Sequence, residues 1–125
     1  MNHTILNLFY LYKINYDMQK RTAEILSKCN ELALKHLGKS KVILYGSRAK
    51  GIAEKYSDWD ILILTEKKCG KSEITAFLND LYNLELELEE VITPIIKEES
   101  LWNSDKYKVT PLYQNIRNDG IYYAE

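Results

Sequence analysis

Two short apolar runs most constrain what this chain can become. Lys41 to Gly46, "KVILYG", and Trp59 to Leu64, "WDILIL", are bounded by polar residues and are too short for buried helices. Runs of this length rich in Val, Ile and Leu read as buried strands. Ser47 to Ser57, between them, is too polar and irregular for a long helix. The second run opens on two carboxylates, Asp58 and Asp60, and the first ends on a Gly-Ser pair, Gly46-Ser47.

Helical periodicity covers Asn15 to Leu37, with Met18, Ile25, Cys29, Leu32 and His36 near one face, Ala33 beside them and Gly38 just past the end. A second helix is expected from Ser72 as N-cap, with Glu73 in its first turn and Ile74, Phe77, Leu78 and Leu81 at helical spacing. From Leu84 to Ile96, "LELELEEVITPII" alternates for its first six residues, which predicts a strand. Leu84, Leu86 and Leu88 would take one face and Glu85, Glu87 and Glu89 the other. Pro94 pushes the far end towards a sheet edge. The stretch "VTPLYQNIRNDGIYYAE" predicts a short helix, with Pro111 near its start, Ile116 on its apolar side and Gly120 past its end. Helices and strands in this order make a small α+β (mixed α/β) domain. The 125 residues fit one domain, 1–125, with an N-terminal arm and helix over 1–38 and a core bearing the glycine and the aspartates over 39–125.

Charge and cysteine usage narrow the partners. Lys plus Arg (17) nearly balance Asp plus Glu (18), a net charge of -1. The lysines are spread out, so direct nucleic-acid binding is not expected. Cys29 and Cys69 form neither a disulfide framework nor a CxxC metal site and suit a reducing, cytoplasmic setting. His3 and His36 lack ligand-like spacing. No run is long enough for a membrane span. The apolar patch Ile5 to Tyr12 lacks the basic flank and cleavage site of a signal peptide, and suits a helix or arm packed on the domain or on a partner.

The chemistry concentrates at Gly46-Ser47 and Asp58-Trp59-Asp60. Residues i and i+2 of a strand face the same side, about 6.5–7 Å apart. Asp58 and Asp60 therefore aim two carboxylates at one volume, where they repel unless a cation lies between them. Hard oxygen ligands of this kind suit Mg²⁺ or Mn²⁺. Trp59 points to the other side, towards the core. Gly46 permits close approach of a phosphate, Ser47 adds a hydroxyl, and Arg48 and Lys50 add positive charge. Phosphates on one side and carboxylates on the other describe a nucleoside triphosphate site.

Gly46-Ser47, ten residues from Arg48 to Ser57, then Asp58-Trp59-Asp60, resembles the signature of the nucleotidyltransferase superfamily that includes DNA polymerase beta. The context, "GSRAKG" and "SDWDILI", is similar to its minimal nucleotidyltransferase branch. "ITPII" and "TPLYQNIRNDGI" are compatible with it, so the resemblance covers most of the chain from about Ser40 onward. It implies a mixed sheet flanked by helices, Ser47 at the triphosphate, and Asp58 and Asp60 as catalytic Mg²⁺ ligands; Gly46, by its close backbone approach, and Arg48, by its place next to Ser47, are expected at the nucleotide with it. It implies transfer of a nucleoside monophosphate, with ATP as donor, to an acceptor hydroxyl. It also implies a third acid from a later strand. On the expected Leu84–Ile96 strand the candidates are Glu89 and then Glu87, with Glu89 as both catalytic residue and metal ligand; an alternating glutamate row equally suits a solvated strand face. Branch members commonly act with a helical HEPN-type toxin as antitoxins, some by placing AMP on a partner tyrosine. The alternative is a binding module that keeps the fold with weak or lost catalysis and acts through its partner.

Overall fold

The computed structural model describes residues 3–124, with the side chains at 3–7, 11, 14 and 15 outside the description. The strands are β1 (Ser40–Tyr45), β2 (Trp59–Thr65), β3 (Ile92–Glu98) and β4 (Ile121–Tyr122). The helices are α1 (His3–Leu37), α2 (Ser47–Lys50), α3 (Lys71–Leu88), α4 (Glu99–Trp102), α5 (Asp105–Lys108) and α6 (Pro111–Asp119). The four strands form one sheet in the order β3-β2-β1-β4. β1 runs antiparallel to β2 and β4, and β2 runs parallel to β3. α3 is the crossover that a parallel pair requires. The architecture is the mixed α+β sheet with flanking helices that the sequence predicts.

Alternation along the strands divides the core in two. Val42 and Leu44 of β1 and Trp59, Ile61 and Ile63 of β2 face one layer, built from Ile25, Leu26, Cys29, Ala33 and Leu37 of α1 and Phe77, Leu81 and Leu84 of α3. Ile43, Leu62 and Leu64 face the other, with Trp102 and Ile116, and Tyr45, Ile95, Tyr107, Leu112 and Tyr113 packed around them. Both strand runs are buried on two faces, which is why they read as continuous apolar stretches. Burial pushes the Cys29 thiol up to about 12, with the charge of Glu85 adding to the shift, so this cysteine is a core residue and not a nucleophile.

Three expectations are corrected. First, α1 starts at His3, well before the helix expected from Asn15. Within the patch Ile5 to Tyr12, the described side chains Leu8, Phe9, Tyr10 and Tyr12 are exposed on that helix. Second, the strand expected over Leu84–Ile96 is helix up to Leu88, and β3 begins only at Ile92. Ile74, Phe77, Leu81, Leu84 and Leu88 continue one i, i+3/i+4, i+7 stripe, all packed on the α1 layer, whereas Leu86 is exposed. Leu and Glu are strong helix formers, and Glu is a poor strand former. A helix already under way therefore overrides a local period of two. Third, α4, α5 and β4 were not expected. α6 matches the expectation, with Thr110 as N-cap accepting from Tyr113 N–H. Pro94 lies on β3, an edge strand, where a missing N–H is tolerated.

Candidate active site

The site is built where β1 ends and β2 begins. Tyr45 pairs with Asp60 across the antiparallel ladder. Gly46 follows with φ 75° and ψ -156°, a conformation essentially restricted to glycine. The same glycine lies against the Asp60 carboxylate: a Cβ there would collide with Asp60 Oδ2. Gly46 O then accepts from Ala49 N and Lys50 N, both at 3.1 Å, starting the single turn of α2 at Ser47. Gly51 closes that turn in the left-handed region, its N–H donating to Ser47 O.

Asp58 is exposed just ahead of β2, and Asp60 is half-buried within it. Both precede Leu62 and Leu64 on the same alternation, so the carboxylates share one face of the sheet. Trp59 is buried on the opposite face, as its parity predicts. Burial first, and the charge of Asp58 second, hold the Asp60 carboxyl above the usual carboxylate range. The Tyr45 hydroxyl is also pushed up, by burial and then by Asp60. This is a pair of carboxylates whose mutual repulsion a cation would relieve.

Arg48 is committed elsewhere. Its guanidinium donates to Ser57 O at 2.9 and 3.2 Å and to Lys55 O at 3.1 Å. It also stacks over the Trp59 ring at 4.4 Å. Arg48, expected at the phosphates, thus has carbonyl partners in this structure. Its fork of donors braces the polar segment that carries Asp58 to the start of β2. Ser57 Oγ accepts from Glu54 N at 2.9 Å and tightens the same segment.

The third carboxylate is not where it was expected. Glu89 is the C-cap of α3, at φ 55° in the left-handed region, and does not lie on a strand. It lines a cleft of about 400 Å³ with Arg21, Tyr56 and Ser57, whose lining omits Asp58 and Asp60. Glu87 is an exposed residue of α3. Glu85 accepts from Ile92 N at 3.1 Å. Among the described residues no three His, Cys, Asp or Glu side chains come together as a metal-holding group. Asp58 and Asp60 fit two ligand positions of a hard cation, and Glu89 does not supply a third.

Sequence reasoning missed two features. Thr93 of β3 is the register partner of Asp60, and its Oγ1 lies 3.4 Å from Asp58 Oδ2. Only the strand register identifies it. Glu90 joins three elements: its Oε1 accepts from Arg21 Nε of α1 at 3.2 Å, its Oε2 accepts from Trp59 Nε1 of β2 at 2.9 Å, and Arg48 Nη2 of α2 is 3.9 Å away. Arg21 Nη2 also donates to Leu88 O at 2.7 Å, satisfying a carbonyl at the end of α3. No local sequence signal marks these long-range partners.

The pattern of the family described as Polymerase beta, Nucleotidyltransferase matches residues 19–122. No curated protein sequence matches the chain significantly. Among solved structures, a crystal structure of a toxin-antitoxin with AMP-PNP is similar at TM-score 0.53 and 18% identity, over 77% of this chain and 69% of that one. Two mutant forms of the toxin-antitoxin MntA-HpeT are similar at TM-score 0.52. One is 18% identical over 78% of this chain and 70% of that one. The other is 15% identical over 77% and 69%. At such identities the structural likeness is one of fold. The family pattern spans Gly46-Ser47, Asp58-Trp59-Asp60 and all four strands of the sheet, and the chain belongs to the polymerase beta nucleotidyltransferase family.

Proposed function

We propose that this chain is an ATP-dependent nucleotidyltransferase that places AMP on the hydroxyl of a partner protein, a tyrosine of a HEPN-type toxin, in an antitoxin role in the cytoplasm. The single observation that carries the reading is the closure of Gly46 on Asp60. It brings the glycine turn and the carboxylate pair into one small volume, so that phosphate and cation would meet there. Asp58 and Asp60 would hold Mg²⁺, or Mn²⁺ in its place, and Gly46 and Ser47 would line the triphosphate. A cation bound there supplies charge neutralisation at the phosphate oxygens. The acceptor hydroxyl releases its proton to solvent, its oxygen forms a bond to the α-phosphorus as the α–β phosphoanhydride bond breaks, and pyrophosphate leaves. The likeness to a toxin-antitoxin with AMP-PNP and to MntA-HpeT supports an adenine nucleotide and a toxin partner.

A second reading is a nucleotidyltransferase-fold module that works mainly by binding its partner. Thr93 at the position beside Asp60, where a third acid would stand, favours it. A thermal melt with Mg²⁺ and each ribonucleoside triphosphate separates the two, read beside an Asp58→Asn/Asp60→Asn double variant. Ligand at about 100 times its dissociation constant stabilises by ~2.7 kcal/mol. A metal-dependent rise with ATP that the double variant lacks is the expected result. No rise with any nucleotide would leave the binding module in its place.

A further inference from the structure

We propose that Thr93 makes this a two-carboxylate cation site, so that Mg²⁺ enters together with the nucleoside triphosphate and is not held beforehand. The inference rests on the nucleotide-site reading above and specifies how that site is filled.

The placement follows from the sheet. Asp60 pairs with Thr93, and the next outward pair on that face is Leu62 with Ile95. Leu62 and Ile95 belong to the same apolar cluster, so Thr93 shares the face of Asp60. Neighbouring strands lie about 4.8 Å apart. No other position of β3 is closer to Asp60, and a carboxylate there would complete a triad. Thr93 offers only a neutral hydroxyl, exposed and 3.4 Å from Asp58 Oδ2.

No neighbouring glutamate makes up the loss. Glu85 is engaged by the Ile92 N–H, and Glu90 by Arg21 and Trp59. Glu89 ends a helix. Mg²⁺ takes six oxygens in near-octahedral geometry and gives up water reluctantly. Two carboxylates with no third leave much of that shell to solvent, so the free protein holds the ion weakly. Triphosphate oxygens would supply the ligands that the two carboxylates leave to solvent. Cation and nucleotide then raise each other's affinity by the same factor, because such coupling is reciprocal.

Mn²⁺ titration followed by electron paramagnetic resonance tests this without requiring catalysis. The wild-type chain is titrated alone and with a non-hydrolysable ATP analogue, beside Thr93→Asp and the longer Thr93→Glu, each confirmed folded by its melt. The analogue should tighten Mn²⁺ binding to the wild type by about tenfold or more, within the usual span of coupling between sites. At least one carboxylate variant should bind Mn²⁺ about tenfold tighter than the wild type with no nucleotide present. Thr93→Val should stay within about twofold, since a neutral hydroxyl adds no charge to the site. Wild type and both carboxylate variants taking up Mn²⁺ equally, with no effect of the analogue, would overturn the proposal. A gain in the variants while no form binds the analogue would overturn the nucleotide reading and the coupled entry, and leave the two-carboxylate site standing.

Discussion

Gly46 and Asp60 occupy one space: the carboxylate of Asp60 lies where a side chain on residue 46 would begin. The glycine meets two demands at once, a backbone conformation at φ 75° and ψ -156° and room for a charged group. Gly46→Ala should therefore cost stability through the backbone, roughly 1–3 kcal/mol for a residue held in so sparsely populated a region. It should also displace the carboxylate. Urea melts give the first effect, and loss of the metal-dependent nucleotide shift gives the second. A Gly46→Ala variant as stable as wild type would mean that the turn relaxes freely.

Removing the charge of Asp60 should stabilise the metal-free protein. Its folded carboxyl is held above the ordinary range, so the folded state disfavours the ionised form. The sign follows from linkage. Below the unfolded value, about 3.9, the group is protonated in both states and costs nothing. As pH rises from there through the raised folded value, stability is lost, and above that value the loss is complete. Asp60→Asn should melt above wild type at pH 7 without metal, and the gap should close near pH 3. A variant melting below wild type at pH 7 would contradict the assignment.

Arg48 should matter to the stability of the segment between β1 and β2 more than to phosphate affinity. Its guanidinium makes three donations to Lys55 O and Ser57 O and stacks on Trp59. Hydrogen bonds to charged groups contribute about 1.5–3 kcal/mol, and Arg48→Ala should cost about that much in a chemical melt. Arg48→Lys should not restore it, because an ammonium lacks the planar fork. A variant of unchanged stability whose nucleotide affinity alone falls would return Arg48 to the phosphates.

Glu89 should be replaceable. At φ 55° a residue with a Cβ is strained by roughly 1–2 kcal/mol relative to the right-handed region, and glycine is not. Glu89→Gly should gain about 1 kcal/mol in a thermal melt at no cost to Mn²⁺ binding. Weakened Mn²⁺ binding in this variant would restore Glu89 to the cation site.

The legible parts of this molecule were those whose signal is local. The two strands around Gly46-Ser47 and Asp58-Trp59-Asp60 are short apolar runs with no competing period, and the structure has them within a residue or two of expectation. "LELELE" was misread because Leu84 and Leu88 satisfy a period of two and a helical stripe equally. Leu81 and Phe77, upstream, decide between them, and the correction moved Glu89 off the sheet. Thr93, Glu90 and Arg21 were invisible for a different reason. Their roles follow from pairing partners distant in sequence, Asp60, Trp59 and Leu88, and nothing adjacent announces them.

β4 pairs with β1 at Ile43 and Leu44, and Tyr123 N donates to Val42 O, so this flank of the sheet is closed by residues far from β1 in sequence. β1 and β2, which carry the glycine and the aspartates, are near neighbours in sequence, and closing short loops is entropically the cheaper step. During synthesis the glycine–carboxylate pair can therefore form while the last strand is still in the ribosomal tunnel. Without residues 121–123 in place, the flank of β1 would be open. For that interval a nascent chain would present a half-made sheet with its reactive corner already in place, and the final strand would act as the seal that ends its exposure to other strands.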